Sequence, residues 1–491
     1  MASEILTYED LRGSTGRRAF FRPQRYAALE IFPAPQPRVL LDNLEWRISD
    51  ISLNGIAITS KDFQDSDVPL GDSLPLTIEQ SGILLFSGRA TIKRVEPSGF
   101  GSKVALHFDD SFVDIPVLRK KDAQARMRGH FTALQPTSTD LVSTEYRILC
   151  TDILSTFRSY RSFLEQRNDL LDLSKNDSNG AFELCLEQMM PQWRELWLRG
   201  NEATEAVMDD KERLNALKRV TELVLTPEFC HGPIWDRSFT KPLGYPGDFQ
   251  VMNYVYDWKR EGKSTYGQVI HRLGLDVAEC IGTRMDMVID TVLKLSNTKK
   301  PGDTARVLSL GSGPAREVRQ IYEKTARGTT KFEYTLVDQE ELALQYAYEG
   351  NYPAAMAHSA GAKINCLNLS FTDILRGNLD DKSAYEQDIV YSVGLFDYLK
   401  DRRARGLAKS LFELVRPGGL LILGNMNKCA LSNLWPMECL TDWRLYYRDN
   451  EEMLGWAEAL DKENAWTETE PTNRVRLLFV RKSGGEAGVG T

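Results

Sequence analysis

The residues best able to do chemistry lie in one short run, where the apolar stretch from Arg306 meets Gly311-Ser312-Gly313-Pro314 and passes into Arg316-Glu317. A strand that ends in a glycine turn and opens a helix brings backbone N–H groups and a helix N-terminus to one point, which suits the carboxylate or phosphate of a nucleotide-like ligand. About twenty residues further on, Tyr334-Thr-Leu-Val-Asp338 reads as a second strand ending in an acid placed to accept hydrogen bonds from a ribose diol. The glycine turn alone is a weak signal that also fits a plain tight turn, so the downstream chain decides.

Downstream, Asp388-Ile-Val-Tyr-Ser392-Val-Gly394 is a third strand with a glycine at its exit. Val415-Arg-Pro417-Gly418-Gly419 followed by an apolar run is a helix end, a turn and a fourth strand. In this order the motifs resemble the class I S-adenosylmethionine-dependent methyltransferases. The resemblance spans roughly 304–481 and implies an α/β Rossmann-like domain. By it, Gly311, Ser312, Gly313 and Pro314 hold the methionine end of the cofactor, Asp338 and Gln339 hold the ribose, and Asp373, Ser392 and Gly394 complete the set. Such enzymes commonly carry an acid where this chain has Ser309, and Glu317 is the candidate to take over the methionine amino group. A dinucleotide-dependent dehydrogenase is the competing reading of the same turn, with no use for the Pro-Gly-Gly strand.

A second constellation surrounds the first. Lys241-Pro-Leu-Gly244-Tyr245-Pro-Gly247-Asp248 packs prolines, glycines, an aromatic and an acid into a segment better suited to a lid than to a core. With Gly394-Leu-Phe-Asp397-Tyr398 and Trp443-Arg444-Leu-Tyr446-Tyr447-Arg448, it resembles the bacterial methyltransferases of extracellular-factor 3-hydroxypalmitic acid methyl ester biosynthesis, over about 183–480. That resemblance implies methyl transfer to the carboxylate of a hydroxy fatty acid or another small acidic, acyl-type acceptor. Tyr245, Asp248, Asp397, Tyr398 and Arg448 are then the candidate catalytic residues, Arg448 or Arg444 holding the acceptor carboxylate in a bidentate contact; a structural ion pair is the other reading of Arg448. Two further classes stay open: a protein or amine methyltransferase, with Asp397, Glu438 and Asp442 lining the pocket, and a receptor whose methyltransferase-like domain is inactive.

At the other end, Arg17-Arg18-Ala-Phe-Phe-Arg22-Pro-Gln-Arg25 gathers four arginines into nine residues. Asp50-Ile-Ser52-Leu-Asn-Gly55 follows among short strands separated by Pro, Gly and Asp turns, the pattern of a small β-barrel. Together these motifs resemble the PilZ domain, the bacterial receptor module for cyclic di-GMP. The resemblance implies that Arg17, Arg18 and Arg22 grip phosphates and stack on guanine, that Asp50 and Ser52 pair with guanine edges, and that Gly55 lets the backbone turn close by.

The elements that position these residues form a multidomain chain: a PilZ-like barrel over 1–125, a helical linker and lid region over 126–265, the methyltransferase domain over 266–482 and a flexible tail over 483–491. Barrel strands are expected at Arg25 to Phe32, Glu45 to Ser49, Gly55 to Thr59, Leu74 to Ile78, Leu84 to Val95 and Lys103 to Phe108. Polar residues from Arg119 to about Pro136 predict a linker that becomes helical. Apolar residues recur at three- and four-residue intervals from Tyr146 to Leu164 and again from Trp193 to Leu225, marking helices, with a break at Asn176 to Gly180.

Composition bounds the rest. The 491 residues are 42% hydrophobic and 26% charged, as in ordinary globular protein, and no run is apolar enough to cross a bilayer. With Glu4, Glu9 and Asp10 near Met1, that stretch does not resemble a signal peptide, and a cytoplasmic protein is expected. Seven scattered cysteines and five histidines form no ligand pattern, and no metal is expected. A net charge of −8 argues against wrapping a nucleic acid polymer, and the oligomeric state stays open.

Overall fold

The computed structural model describes residues 23–32, 36–42, 44–60, 70–98, 101–133, 141–166, 175–243, 245–300, 302–325, 330–358, 362–379 and 381–484. The chain forms two compact units, Met1–Arg128 and Gly129–Thr491.

In unit 1 the strands are β1 (Arg25–Ala27), β2 (Arg38–Leu41), β3 (Leu44–Ser52), β4 (Gly55–Ser60), β5 (Ser73–Gln80), β6 (Ile83–Ser98) and β7 (Gly101–Phe108). Their antiparallel order β3-β2-β5-β6-β7-β4, with β4 pairing back to β3, closes a six-stranded barrel, and β1 adds to the outside of β3. The barrel is filled by Val39, Trp46, Ile48, Ile58, Ile78, Ile92 and Val104. The strand expected over Arg25 to Phe32 stops at Ala27 and turns into the single-turn α1 (Ala28–Ile31), which buries Ala28 and Ile31 at helical spacing. The polar stretch after Arg119 is already helical: α2 (Ile115–Ala133) is rich in Lys, Arg, Ala and Gln, good helix formers that need little burial.

Unit 2 begins with α3 (Thr144–Gln166), α4 (Lys175–Glu205), α5 (Lys211–Val224), α6 (Thr226–Phe229), α7 (Pro233–Thr240), α8 (Phe249–Asp257) and the long α9 (Thr265–Thr298). The break expected at Asn176 to Gly180 is absent. Helix α4 runs through it and through Pro191, because buried Met189, Trp193 and Trp197 tie this helix into the core more strongly than local propensity opposes it.

The α/β part follows as β8 (Thr304–Leu310), α10 (Arg316–Lys324), β9 (Lys331–Asp338), α11 (Glu341–His358), β10 (Lys363–Asn368), α12 (Phe371–Leu375), β11 (Gln387–Ser392), α13 (Asp401–Leu414), β12 (Val415–Met426), α14 (Asn450–Leu454), β13 (Ala465–Thr469) and β14 (Val475–Arg481). The sheet order is β10-β9-β8-β11-β12-β14-β13, parallel except for β14, which runs against both β12 and β13. This is a Rossmann-like α/β fold. Neighbouring strand residues face opposite cores: Ala305 and Val307 join the cluster that holds α3 to α9, whereas Leu308 and Leu310 meet Leu407 and Leu411 of α13. Strands buried on both faces must be apolar throughout, hence their unbroken hydrophobic runs. Among the described residues no helix is long and apolar enough to cross a membrane, and no group of three His, Cys, Asp or Glu could hold a metal ion.

Candidate functional site

The candidate site lies where β8, β9 and β11 end, on the carboxyl edge of the sheet, the side on which open α/β sheets take ligands. Three successive turns of chain there need left-handed backbone: Gly311 has φ 67°, Gly313 has φ 51°, and Ala315, which caps α10, has φ 46°. A side chain at Gly313 would meet nothing within 4 Å, so the glycine leaves open space beside the loop.

The N–H groups expected to be bare are not. Gly311 and Ser312 both donate to Val337 O, at 2.8 and 3.3 Å, and Gly313 donates to Asp338 Oδ2 at 2.8 Å. The other Asp338 oxygen accepts from Glu340 N at 2.9 Å. Asp338 therefore shapes the turn as well as facing it, and burial raises its carboxyl above the usual range against these three-sided backbone contacts. Gln339 follows it in the same strand-to-helix turn.

Ser309 is paired in register with Tyr391 on β11 and hydrogen-bonds its phenol. Tyr391 Oη in turn donates to Glu317 Oε1 at 2.5 Å. Glu317, carried in from the first turn of α10, is thus joined through Tyr391 to Ser309. Glu317 is fully buried, and that burial pushes its carboxyl up to about 7 against the opposing Tyr391 bond. Its Oε2 and the Ser312 hydroxyl are buried without a hydrogen-bond partner, which is costly for polar atoms unless something else fills the site.

Ser392 donates to Leu310 O at 2.9 Å and locks the ends of β8 and β11 together. Beyond it, Gly394 has no room for a side chain: a Cβ would lie 2.9 Å from Arg284 Nη2. Asp373 closes the capping box of α12, its Oδ2 accepting from Ser370 N and Ser370 Oγ.

Asp397 is buried, accepts from Met426 N at 2.5 Å and stands 3.7 Å from Arg284 Nη1. Burial lifts its carboxyl to about 6, with Arg284 opposing. Tyr398 Oη accepts from Trp443 Nε1 at 3.0 Å and reaches Pro246 O at 3.5 Å. Gly247, at φ 71°, lies so flat on Trp443 that a Cβ would sit 2.2 Å from the indole. Burial, and then the charges of Asp338 and Glu340, raise the Tyr245 phenol above its usual range. Gly244 lies outside the described residues.

Two candidate catalytic residues have other occupations. Asp248 caps α8, accepting from Gln250 N and Val251 N at 3.0 Å, and pairs with Arg237 at 2.8 Å. Arg448 donates to Phe396 O, Leu399 O and Asn425 Oδ1 and lies over the Trp456 ring, so its guanidinium binds the loop after β11 instead of an acceptor. Arg444 is exposed. Glu438 and Asp442, the acids an amine pocket would use, are paired with Lys218, and Asp442 also with Lys241.

Sequence reasoning missed Arg284, Tyr391 and Tyr256. Tyr256, half-buried on α8, lies within the influence of the Glu317 and Arg284 charges. Arg316 anchors that helix to the glycine turn through Asp257 at 2.7 Å. An apolar groove of about 290 Å³ on α3 and α4, lined by Tyr160, Phe163 and Leu184 among others, involves none of these residues.

In unit 1, Asp50 closes β3 and is held by Arg25 at 2.6 Å and Lys103 at 3.2 Å. Ser52 is buried and donates to Gly55 O at 3.2 Å. A Cβ at Gly55 would fall 2.5 Å from Leu106 O, so only glycine fits between β3 and β7. Arg17, Arg18 and Arg22 lie outside the described residues.

A family model described as the PilZ domain matches residues 16–114. Among solved structures, a possible exported protein from Bordetella parapertussis is similar at 15% identity and TM-score 0.38, covering 64% of this chain and 100% of that one. Magnesium protoporphyrin IX methyltransferase from Synechocystis PCC 6803 with bound SAH is similar at 14% identity and TM-score 0.34, covering 51% and 98%. An O-methyltransferase family protein from Burkholderia thailandensis is similar at 19% identity and TM-score 0.28, covering 41% and 60%. No curated protein matches the chain.

Proposed function

We propose that this chain is an S-adenosylmethionine-dependent methyltransferase, that its acceptor is the carboxylate of a hydroxy fatty acid or a similar small acid, and that cyclic di-GMP sets its activity. The observation that carries the first part is the meeting, at adjacent strand ends, of an open glycine turn, the Asp338 carboxylate and a buried Glu317 with an unpartnered oxygen. These fit the three ends of such a cofactor: space for the methionine chain beside Gly313, an acceptor for the ribose diol, and an acceptor for the ammonium. The cofactor supplies an electrophilic sulfonium methyl group. A carboxylate nucleophile then needs no general base, only alignment and removal of water. Tyr398 and Trp443 form an aromatic side to the site, with Pro246 and Gly247 closed against them. Asp397 acts as a positioning residue, fixing the end of β12 through Met426 N.

The ion pairs of Glu438 and Asp442 leave an amine acceptor poorly served, which favours an acid. For the barrel, the match over 16–114 and the complete Asp50-x-Ser52-x-x-Gly55 motif support a cyclic di-GMP site completed by Arg17, Arg18 and Arg22. Binding there requires Asp50 to exchange Arg25 or Lys103 for a guanine edge.

Calorimetric titration of S-adenosylhomocysteine into the full chain tests the cofactor, and labelled-methyl transfer to 3-hydroxypalmitate with and without cyclic di-GMP tests the acceptor and the regulation. No heat in the first sinks the enzymatic reading and leaves a receptor.

A further inference from the structure

Three arginines of unit 2 are buried to a similar degree, and two of them are saturated. Arg448 spends its guanidinium on Phe396 O, Leu399 O and Asn425 Oδ1. Arg474 spends its own on Asp276 O, Val277 O, Glu279 and Thr472. Arg284, from the middle of α9, has a side chain only 7% exposed, and its charged partner among the described residues is Asp397 at 3.7 Å, beyond hydrogen-bond reach. Its Nε is buried with no hydrogen-bond partner. A guanidinium removed from water with Nε unpartnered and its charged neighbour beyond hydrogen-bond reach is disfavoured, and a fixed planar fork of that kind is shaped for a carboxylate.

Its position says which carboxylate it can reach. Nη2 stands where a side chain at Gly394 would be, at the exit of β11, and the next residue, Leu395, contacts the place a Gly311 side chain would occupy at 3.6 Å. Arg284 therefore borders the methionine side of the glycine turn, next to Tyr256 and Glu317.

We infer that Arg284 is the anchor for a ligand carboxylate in this site, brought either by the amino-acid end of the methyl donor or by the acceptor. The inference rests on the methyl-donor reading above. With Glu317 it makes a pair of opposite charges suited to a zwitterionic amino-acid group, and its charge also acts on Tyr398, whose hydroxyl accepts from Trp443 Nε1.

The test uses the full chain and three probes: S-adenosylhomocysteine, methylthioadenosine, which keeps the nucleoside but lacks the amino acid, and 3-hydroxypalmitate as acceptor. If the donor supplies the carboxylate, Arg284→Gln weakens S-adenosylhomocysteine about ten- to hundredfold and leaves methylthioadenosine within about twofold of the parent. If the acceptor supplies it, both nucleosides bind as in the parent while KM for 3-hydroxypalmitate rises about tenfold or more with kcat far less changed. Arg284→Lys recovers part of either loss, because the charge remains and the fork does not. Gly394→Ala, which drives a methyl group into Nη2, reproduces the loss with Arg284 present and guards against a folding defect in Arg284→Gln. Parental values for all probes in both Arg284→Gln and Gly394→Ala overturn the inference while leaving the enzyme reading intact. A parent chain that binds neither nucleoside overturns both.

Discussion

Asp338 gives one oxygen to Gly313 and the other to Glu340, so its loss loosens the glycine turn as well as deleting an acceptor. Asp338→Ala should weaken S-adenosylhomocysteine by about 1.5–3 kcal/mol, roughly ten- to hundredfold by calorimetry, with the circular dichroism unchanged. Glu317 gives a pH signature. Its folded carboxyl is raised to about 7 from the ordinary 4.5, so the folded state holds its proton where the unfolded state has lost it. The stabilisation is full below about 4.5 and is lost as pH rises through about 7, on the order of 3 kcal/mol in all. Glu317→Gln, which cannot ionise, should flatten the fall in melting temperature between those two pH values; a parental slope in the variant would refute the assignment. The acids at Asp338 and Glu317 were legible because each follows a strand or turn with a marked local pattern. Arg284 was not: it is one of several basic residues along the 34-residue α9, and only the sheet edge it meets distinguishes it from Arg272. Arg448 stayed ambiguous for the opposite reason, since aromatic neighbours in sequence suggest a ligand cage, whereas its partners are backbone carbonyls on another loop.

At the scale of elements, the turn of Tyr245 to Gly247 and helix α8 act as one piece, capped by Asp248 and fastened to the glycine-turn helix by Arg316–Asp257. Gly247→Ala combines a left-handed backbone with a Cβ inside the Trp443 ring, so the turn must lift from Tyr398. Methyl transfer should fall about tenfold or more while S-adenosylhomocysteine affinity stays within a few-fold, as steady-state kinetics and calorimetry on one preparation would reveal. Equal turnover would make the turn ordinary surface. Most barrel strands, and β8, β9, β11 and β12 of the sheet, could be read from apolar runs bounded by Gly and Pro, whereas β2, β10, β13 and β14 were not. The reversed β14 could not, because direction within a sheet is set by long-range pairing that leaves no local mark. Nor could the continuity of α4 through Pro191, where packing of Trp193 and Trp197 outweighs a helix breaker.

At the scale of the whole molecule, each unit has its own core, and the proposal that cyclic di-GMP sets the enzyme's rate requires the messenger to bind two states of the chain with different affinity. A typical coupling of about 1–3 kcal/mol gives a several-fold to hundredfold change in rate. Arg22→Ala and Asp50→Ala should each abolish that change without altering the basal rate; an identical rate in the parent with and without saturating cyclic di-GMP would refute regulation. A separate consequence follows from how α3 and α4 are fastened. Trp197 Nε1 donates to Ser432 O, 235 residues away, and Trp435 Nε1 donates to Tyr146 Oη, 289 residues away. During synthesis the tryptophan face of α4 emerges long before its covering strip exists; at roughly 5–20 residues per second the delay is about 10–50 s. Through that interval the nascent helices must be shielded by a chaperone or risk sticking to one another, and ribosome-bound chains halted before residue 430 should pellet where chains halted after the sheet is complete do not. The strip that finally covers them leads directly into Trp443, so the chain hides its stickiest surface and walls its pocket in the same moment of its making.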